Sequence, residues 1–342
     1  MAAAVPRPVD IDFARSLPKI ELHAHLTGSI SRDCLHEIWK AKKAQHPELD
    51  IDDPLVAIPP GKVDYDIKTL CNDLPSIEYS TKAVLEEFQS DGLVYLELRT
   101  TPRAMPGTGV TKEKYVETVL KILKAHNDNK SNTMRAFLIL SVDRRNTIAE
   151  AEEVVELATK YHSAGVCGVD LCGDPAKGDV RIFTGAFARA KAAGLKITLH
   201  FAEGEVSASD LELETLLSWK PDRLGHVIHV KDGFREIIEQ ENIGVELCLS
   251  CNVHAKMITG TYSDHHFGMW RHSSVPVALS TDDVGVFCSP LSQEYYLAAE
   301  HFGLSRKDLM VLSERAFASI FTGSDELARL RKIMTEWNEG FQ

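Results

Sequence analysis

Two histidines, His23 and His25, flank a single alanine inside the apolar run KIELHAHL (19–26). Side chains alternate across a strand, so these two imidazoles point to one side and can share a metal ion. Alone, His-x-His is a weak signal, because it also occurs on surface strands. Ionisable groups recur, however, at the ends of other apolar runs. His200 and Glu203 lie in LHFAE, His226 in RLGHVIH, and Asp282 and Asp283 in STDD. Singly, each has a structural reading: an aspartate at a strand end caps a helix, and a strand histidine satisfies the core. Together they are hard to explain as core. Three imidazoles and one carboxylate (His23, His25, His200 and Asp282) make a shell for one Zn2+ per chain with a position left for water. Glu203, His226 and Asp283 remain as acid, base and orienting group.

Rival motifs carry less. Cys248-Leu-Ser-Cys251 has no second pair spaced for a structural zinc site, and two small buried groups at a strand end account for it better. The polar segment TYSDHHFG reads as a solvated loop pair, His265-His266, in preference to a border of the site. The Pro-Cys-x-x-Cys element of the zinc nucleobase deaminases is absent. So are the glycine-rich loops that cradle nucleotide phosphates.

The residues need a scaffold that brings strand ends together. Eight apolar runs alternate with segments of helical period: 19–26, 92–100, 135–143, 165–173, 196–203, 223–230, 244–250 and 275–283. Several have the continuous Val/Ile/Leu character of strands buried on both faces. Between them, Thr111 precedes a helix with Tyr115, Val119, Ile122 and Leu123 on one face. Asn146 opens a second, with Ala149, Val154, Leu157 and Ala158 spaced for burial, and Ser207 caps a third. Eight such units are the count of an α/β (β/α)8 TIM barrel, whose active site is assembled at strand ends. The alternative is a doubly wound open sheet. The long gap after the first run makes 30–90 a helical insertion and a lid, within one domain spanning 1–342.

Composition narrows the function. A formal net charge of −12 argues against a nucleic-acid partner, which would call for a basic stripe. No stretch approaches the roughly 18 apolar residues of a membrane span. The start, MAAAVPRPVDIDFAR, is too broken by proline and charge for a signal peptide. Seven cysteines, an odd number, suit a reducing cytosol better than a disulfide framework. The expectation is a cytoplasmic monomer with a small-molecule partner, no nucleic acid and no membrane.

KIELHAHLTGS, LHFAE, RLGHVIH and STDD resemble, in order over nearly the whole chain, the motifs of the adenosine deaminase family of the amidohydrolase superfamily. LELRTTPR, VDRR, GVDLCGDP, HHFG and LSQEYYLAAE resemble its adenosine deaminase-like branch. Two-metal relatives usually carry a carboxylated lysine at the fourth strand; here that end reads DLCGD, so one metal is implied. The resemblance implies zinc on His23, His25, His200 and Asp282, which lowers the pKa of its water from about 16 toward 7. It further implies that Glu203 protonates ring nitrogen 1 of a purine and that His226 orients and deprotonates the water. Asp283 would hold the water and ring nitrogen 7, and the Gly173 N–H would meet ring nitrogen 3.

The substrate end departs from the adenosine deaminases proper. They place aspartate two residues after the second motif histidine, where it meets the ribose 5′-hydroxyl; this chain has Thr27. A carboxylate repels a 5′-phosphate, whereas a hydroxyl donates to it. Thr100, Thr101, Pro102 and Arg103 match the branch's nucleotide-contacting segment, Asp143 matches a ligand-contacting position, and His25 is a further substrate contact. Lys68 falls where relatives carry histidine. The implied activity is hydrolytic deamination of an N6-substituted purine nucleoside monophosphate, N6-methyl-AMP giving IMP and methylamine. The alternatives are deamination of adenosine and a catalytically silent purine-binding protein.

Overall fold

The computed structural model describes residues 8–58 and 67–341. Its strands are β1 (Lys19–His25), β2 (Leu93–Thr100), β3 (Arg135–Asp143), β4 (Val166–Cys172), β5 (Lys196–Phe201), β6 (Arg223–His226), β7 (Gly244–Leu247) and β8 (Val277–Leu279). They lie in chain order in one sheet, each parallel to the next. Just past β8, Asp282 bridges to Ala24 of β1, and the His25 N–H donates to the Asp282 carbonyl at 3.0 Å. The ring therefore closes at the residues singled out for chemistry. An α/β TIM barrel results, and the open-sheet alternative falls, because its strand order reverses at a switch point.

The first five expected runs match their strands to within two residues. The last three strands are shorter than the runs. After β6 the backbone turns through positive φ at His226 (63°) and Val227 (47°), and after β8 Asp282 does so at 60°. Beyond β7 the chain enters the helix Leu249–His254 at once.

Two helix starts also differ from expectation. Thr147, not Asn146, caps Ile148–Lys160, because Glu150 stands three residues on and completes a reciprocal capping box. Asn146 instead accepts from the Asp143 N–H at 2.9 Å. Ala149 is exposed, and the face against the barrel is Ala151, Val154, Val155, Leu157 and Ala158. Ser209, not Ser207, caps Asp210–Ser218; the Ser207 hydroxyl closes a tight turn on Gly204. Thr111 caps Lys112–Asp128 as expected. The stretch 30–90 contains the helices Arg32–Gln45, Pro54–Ala57, Ile67–Leu70 and Leu74–Ser90. The last of these packs on β2 and on Lys112–Asp128, as a barrel's own crossover helix does.

Outside the strands, apolar side chains meet the helices in one continuous core. Inside, the barrel is charged. Glu21, Glu97, Arg99, Asp170, Arg223 and Glu246 are fully buried. Such charges survive burial only when paired. Arg223 meets Glu97 at 2.6 Å and Glu246 at 2.5 Å, and Arg99 meets Glu246 at 2.8 Å and Asp170 at 3.3 Å. This polar interior was not expected from the apolar character of the runs.

Candidate active site

Four side chains from three strand ends converge at the mouth of the barrel. His200 Nε2 lies 3.2 Å from His23 Nε2 and 3.1 Å from His25 Nε2. Asp282 Oδ1 lies 3.5 Å from His23 Nε2 and 3.3 Å from His25 Nε2. A tetrahedral ion with bonds of about 2.0–2.1 Å spaces its ligands by about 3.3 Å, so the cage has the right size. Tautomers support the same conclusion. His23 Nδ1 donates to Glu246 at 2.6 Å and His200 Nδ1 to Asp170 at 3.1 Å, which leaves both Nε2 lone pairs facing each other. Two lone pairs this close repel unless a cation lies between them. The donor set, three nitrogens and one oxygen, suits zinc chemistry.

Behind the cage stands a layer that motif reading missed. Arg99 joins the two carboxylates that orient His23 and His200, and Thr198 donates to Glu246 at 2.9 Å. The Cys251 thiol donates to Asp282 Oδ2 at 2.8 Å and turns Oδ1 toward the histidines. The available signal was a charged residue inside an apolar run, as in LELRT, GVDLC and GVELC. Cys248 and Cys251 are buried as expected.

The acid–base candidates occupy strained turns. Positive φ is costly for residues other than glycine, and it clusters here at Ala202, His226, Val227 and Asp282. Glu203 faces the cavity nearly buried, and its Oε2 has no hydrogen-bond partner. Burial, reinforced by the Asp282 carboxylate, pushes its pKa up to about 7. His226 Nε2 is also buried without a partner, 3.9 Å from Glu203 Oε1 and 3.8 Å from Asp282 Oδ2. Burial holds this imidazole well below the usual histidine range. Asp283 stands at the start of the helix Val284–Phe287 but makes no capping bond, so its carboxyl is free for the cavity. Burial and the neighbouring Asp282 push it up to about 6. Gly28 makes room for it: a Cβ there would fall 1.5 Å from Asp283 Oδ1.

The expected solvated pair His265–His266 is instead packed against the site. His265 is buried and hydrogen-bonded to Asn252, and His266 Nε2 donates to the His226 carbonyl at 2.6 Å.

A cavity of about 850 Å³ opens above the cage. His25, Glu203, Asp282 and Asp283 line its floor, and Thr27, Thr100, Thr101, Pro102, Arg103, Asp143 and Gly173 line it further out. Lys112 and Arg145, which the motifs did not single out, line it too. Among the described residues, none from 30–90 does. Lys68 falls in the helix Ile67–Leu70, but its side chain lies outside the described residues. The Thr100 hydroxyl pairs with Tyr115 at 2.6 Å, and Thr101 lies 3.6 Å from Cys172 Sγ. Arg103 holds its guanidinium 5.8 Å from the Tyr115 ring centroid, with Nε buried and unpaired. Gly173 has φ 104°, and a Cβ there would come within 2.7 Å of Asp143, so only its backbone faces the cavity.

Known proteins resemble this chain over nearly its whole length. A family model described as "Adenosine deaminase" matches residues 62–337. The chain is 37% identical over 350 residues to the human protein named N6-Methyl-AMP deaminase, covering 97% of this chain and 96% of that one. The crystal structure of Arabidopsis N6-mAMP deaminase MAPDA superposes with a TM-score of 0.87 at 34% identity, covering 95% of this chain and 99% of that one. Arabidopsis ADAL complexed with IMP does so with a TM-score of 0.87 at 33% identity, over 95% and 98%. The chain belongs to the adenosine deaminase family.

Proposed function

We propose that this chain is a zinc-dependent hydrolytic deaminase of purine nucleoside monophosphates, with N6-methyl-AMP as favoured substrate and IMP and methylamine as products. One observation carries the reading: a partnerless buried carboxyl, Glu203, faces the same cavity as the cage of His23, His25, His200 and Asp282. Relatives named for N6-methyl-AMP deamination and a relative complexed with IMP support the substrate class.

Zinc bound in the cage would supply water of lowered pKa beside the purine. Glu203, with its pKa raised to about 7, is protonated in about half of the molecules at neutral pH and can deliver that proton to ring nitrogen 1, so that carbon 6 accepts the attacking oxygen. Asp283 and His226 hold that oxygen, and Asp283 also reaches ring nitrogen 7. The Gly173 N–H meets ring nitrogen 3. Thr27, Thr100, Thr101 and Arg103, with Pro102 and Asp143 shaping the wall, receive the ribose 5′-phosphate; the unpaired Arg103 Nε is suited to an anionic oxygen. The volume lies within the roughly 300–1,000 Å³ of small-molecule sites. We place all this in one domain acting as a cytoplasmic monomer; among the described residues no helix is long and apolar enough to cross a membrane.

The test is product analysis. Zinc-loaded protein incubated with N6-methyl-AMP, AMP and adenosine should release methylamine and IMP from the first fastest. Adenosine as the best substrate would return the reading to adenosine deamination. No turnover of any of the three, with purine still bound, would leave a silent binding protein.

A further inference from the structure

A chain of three hydrogen bonds runs from the backbone to His226 Nδ1, across the ring from its unpaired Nε2, and each bond fixes the direction of the next. The Phe267 N–H points at His265 Nδ1 at 3.0 Å. A backbone N–H only donates, so His265 Nδ1 carries a lone pair and the ring's proton sits on Nε2. Burial agrees: it holds His265 down to about 2, neutral at any working pH. His265 Nε2 lies 3.0 Å from Asn252 Oδ1, so it donates there and dictates which end of the Asn252 amide faces it. The other end, Nδ2, then faces His226 Nδ1 at 3.1 Å, and an amide NH2 only donates. The amide's orientation thus follows from the Phe267 backbone, not from telling nitrogen from oxygen.

His226 Nδ1 must therefore accept. A doubly protonated ring would set N–H against N–H, and the other neutral tautomer would do the same. One form remains, with the proton on Nε2, the atom that lies buried and unpartnered among Glu203 and Asp282. The same segment also holds the His226 backbone, which His266 grips through its carbonyl at 2.6 Å while φ stands at 63°.

We infer that Asn252 and His265 are positioning residues that lock His226 as its Nε2–H tautomer, so that it presents a hydrogen-bond donor, not a base, to the attacking oxygen. The inference rests on the deaminase reading for its consequence but not for its geometry. His226 keeps its proton throughout, and the proton released by the attacking water passes to a carboxylate of the same cavity, Glu203 or Asp283. The expectation that His226 deprotonates the water is replaced by one in which it orients that oxygen.

The test uses zinc-loaded, full-length protein labelled with 15N-histidine, with the His226 signals assigned by their loss in His226→Ala. In the wild type, Nδ1 should show the unprotonated signature and Nε2 the protonated one. Asn252→Asp replaces the donor with an acceptor and should reverse the two. His265→Phe frees the amide to turn and should give a mixture. For Asn252→Asp, kcat on N6-methyl-AMP should fall about 100-fold or more with KM and zinc content little changed, as expected when a preorganised hydrogen-bond donor to the attacking oxygen is lost. A wild-type His226 protonated on Nδ1, or an Asn252→Asp variant with unchanged kcat, would overturn the inference. Because the wild-type spectrum needs no substrate, a protein that turns over nothing would sink the deaminase reading without touching the tautomer.

Discussion

At the floor of the cavity, His23 leans on Glu246 and His200 on Asp170, and Arg99 ties the two carboxylates together, all fully or nearly buried. At the rim, Arg145 pairs with Asp143 while 61% of its side chain meets water, and Lys112 pairs with Glu153, itself half exposed. In the dry floor each charge is worth several kcal/mol and none can be removed alone; at the rim, solvent screens the same pairings to a fraction of that. The floor can therefore be rigid and shared by any chemistry that needs the cage. The rim can change residue by residue and so choose the molecule.

The comparison predicts a graded set of losses. The largest belongs to Glu203. Glu203→Gln keeps shape but cannot deliver the proton, so turnover should fall about 10²–10⁴-fold with zinc content unchanged. Near-normal turnover would show that the floor holds the metal but leaves the proton to another group. Next, Glu246→Ala should cost about 3–5 kcal/mol of folding stability, because it strands Arg99, Arg223 and His23 in the interior. Denaturant titration measures it, and zinc retention should weaken about 10- to 100-fold alongside. A loss below 1 kcal/mol would mean that water reaches this layer. The smallest effect belongs to the rim: Arg145→Ala should change stability by less than about 1 kcal/mol, since its ion pair is largely solvated.

The two regions also differ in how far the sequence revealed them. The cage, Glu203, His226 and Asp283 were legible because their types are rare in apolar runs and recur at run ends. The first five strands were legible from the continuous apolar character of their runs. The ends of β6, β7 and β8 were not, since nothing in local composition announces that His226 or Asp282 will take a positive φ; tertiary contacts impose it. Glu246, Asp170 and Arg99 escaped because their partners lie on strands far apart in sequence, although a charge inside an apolar run marked each position. His265 and Asn252 escaped because TYSDHHFG has a loop's composition, and burial there is decided by the helix Leu249–His254 beside it. Thr147 won over Asn146 through Glu150, a spacing that was readable.

The central claim is that the floor supplies the chemistry while Thr27 and the 100–103 segment select a 5′-monophosphate. It is tested most directly by kcat/KM for N6-methyl-AMP and for N6-methyladenosine on wild type, Arg103→Ala and Thr27→Asp. A charge-assisted bond from Arg103 is worth about 1.5–3 kcal/mol, so the wild type should prefer the monophosphate by at least about 10- to 100-fold. Arg103→Ala should remove most of that preference, and Thr27→Asp should depress the monophosphate by repulsion, both sparing the nucleoside. Equal constants for the two compounds on the wild type would contradict the account and leave a rim that does not read phosphate.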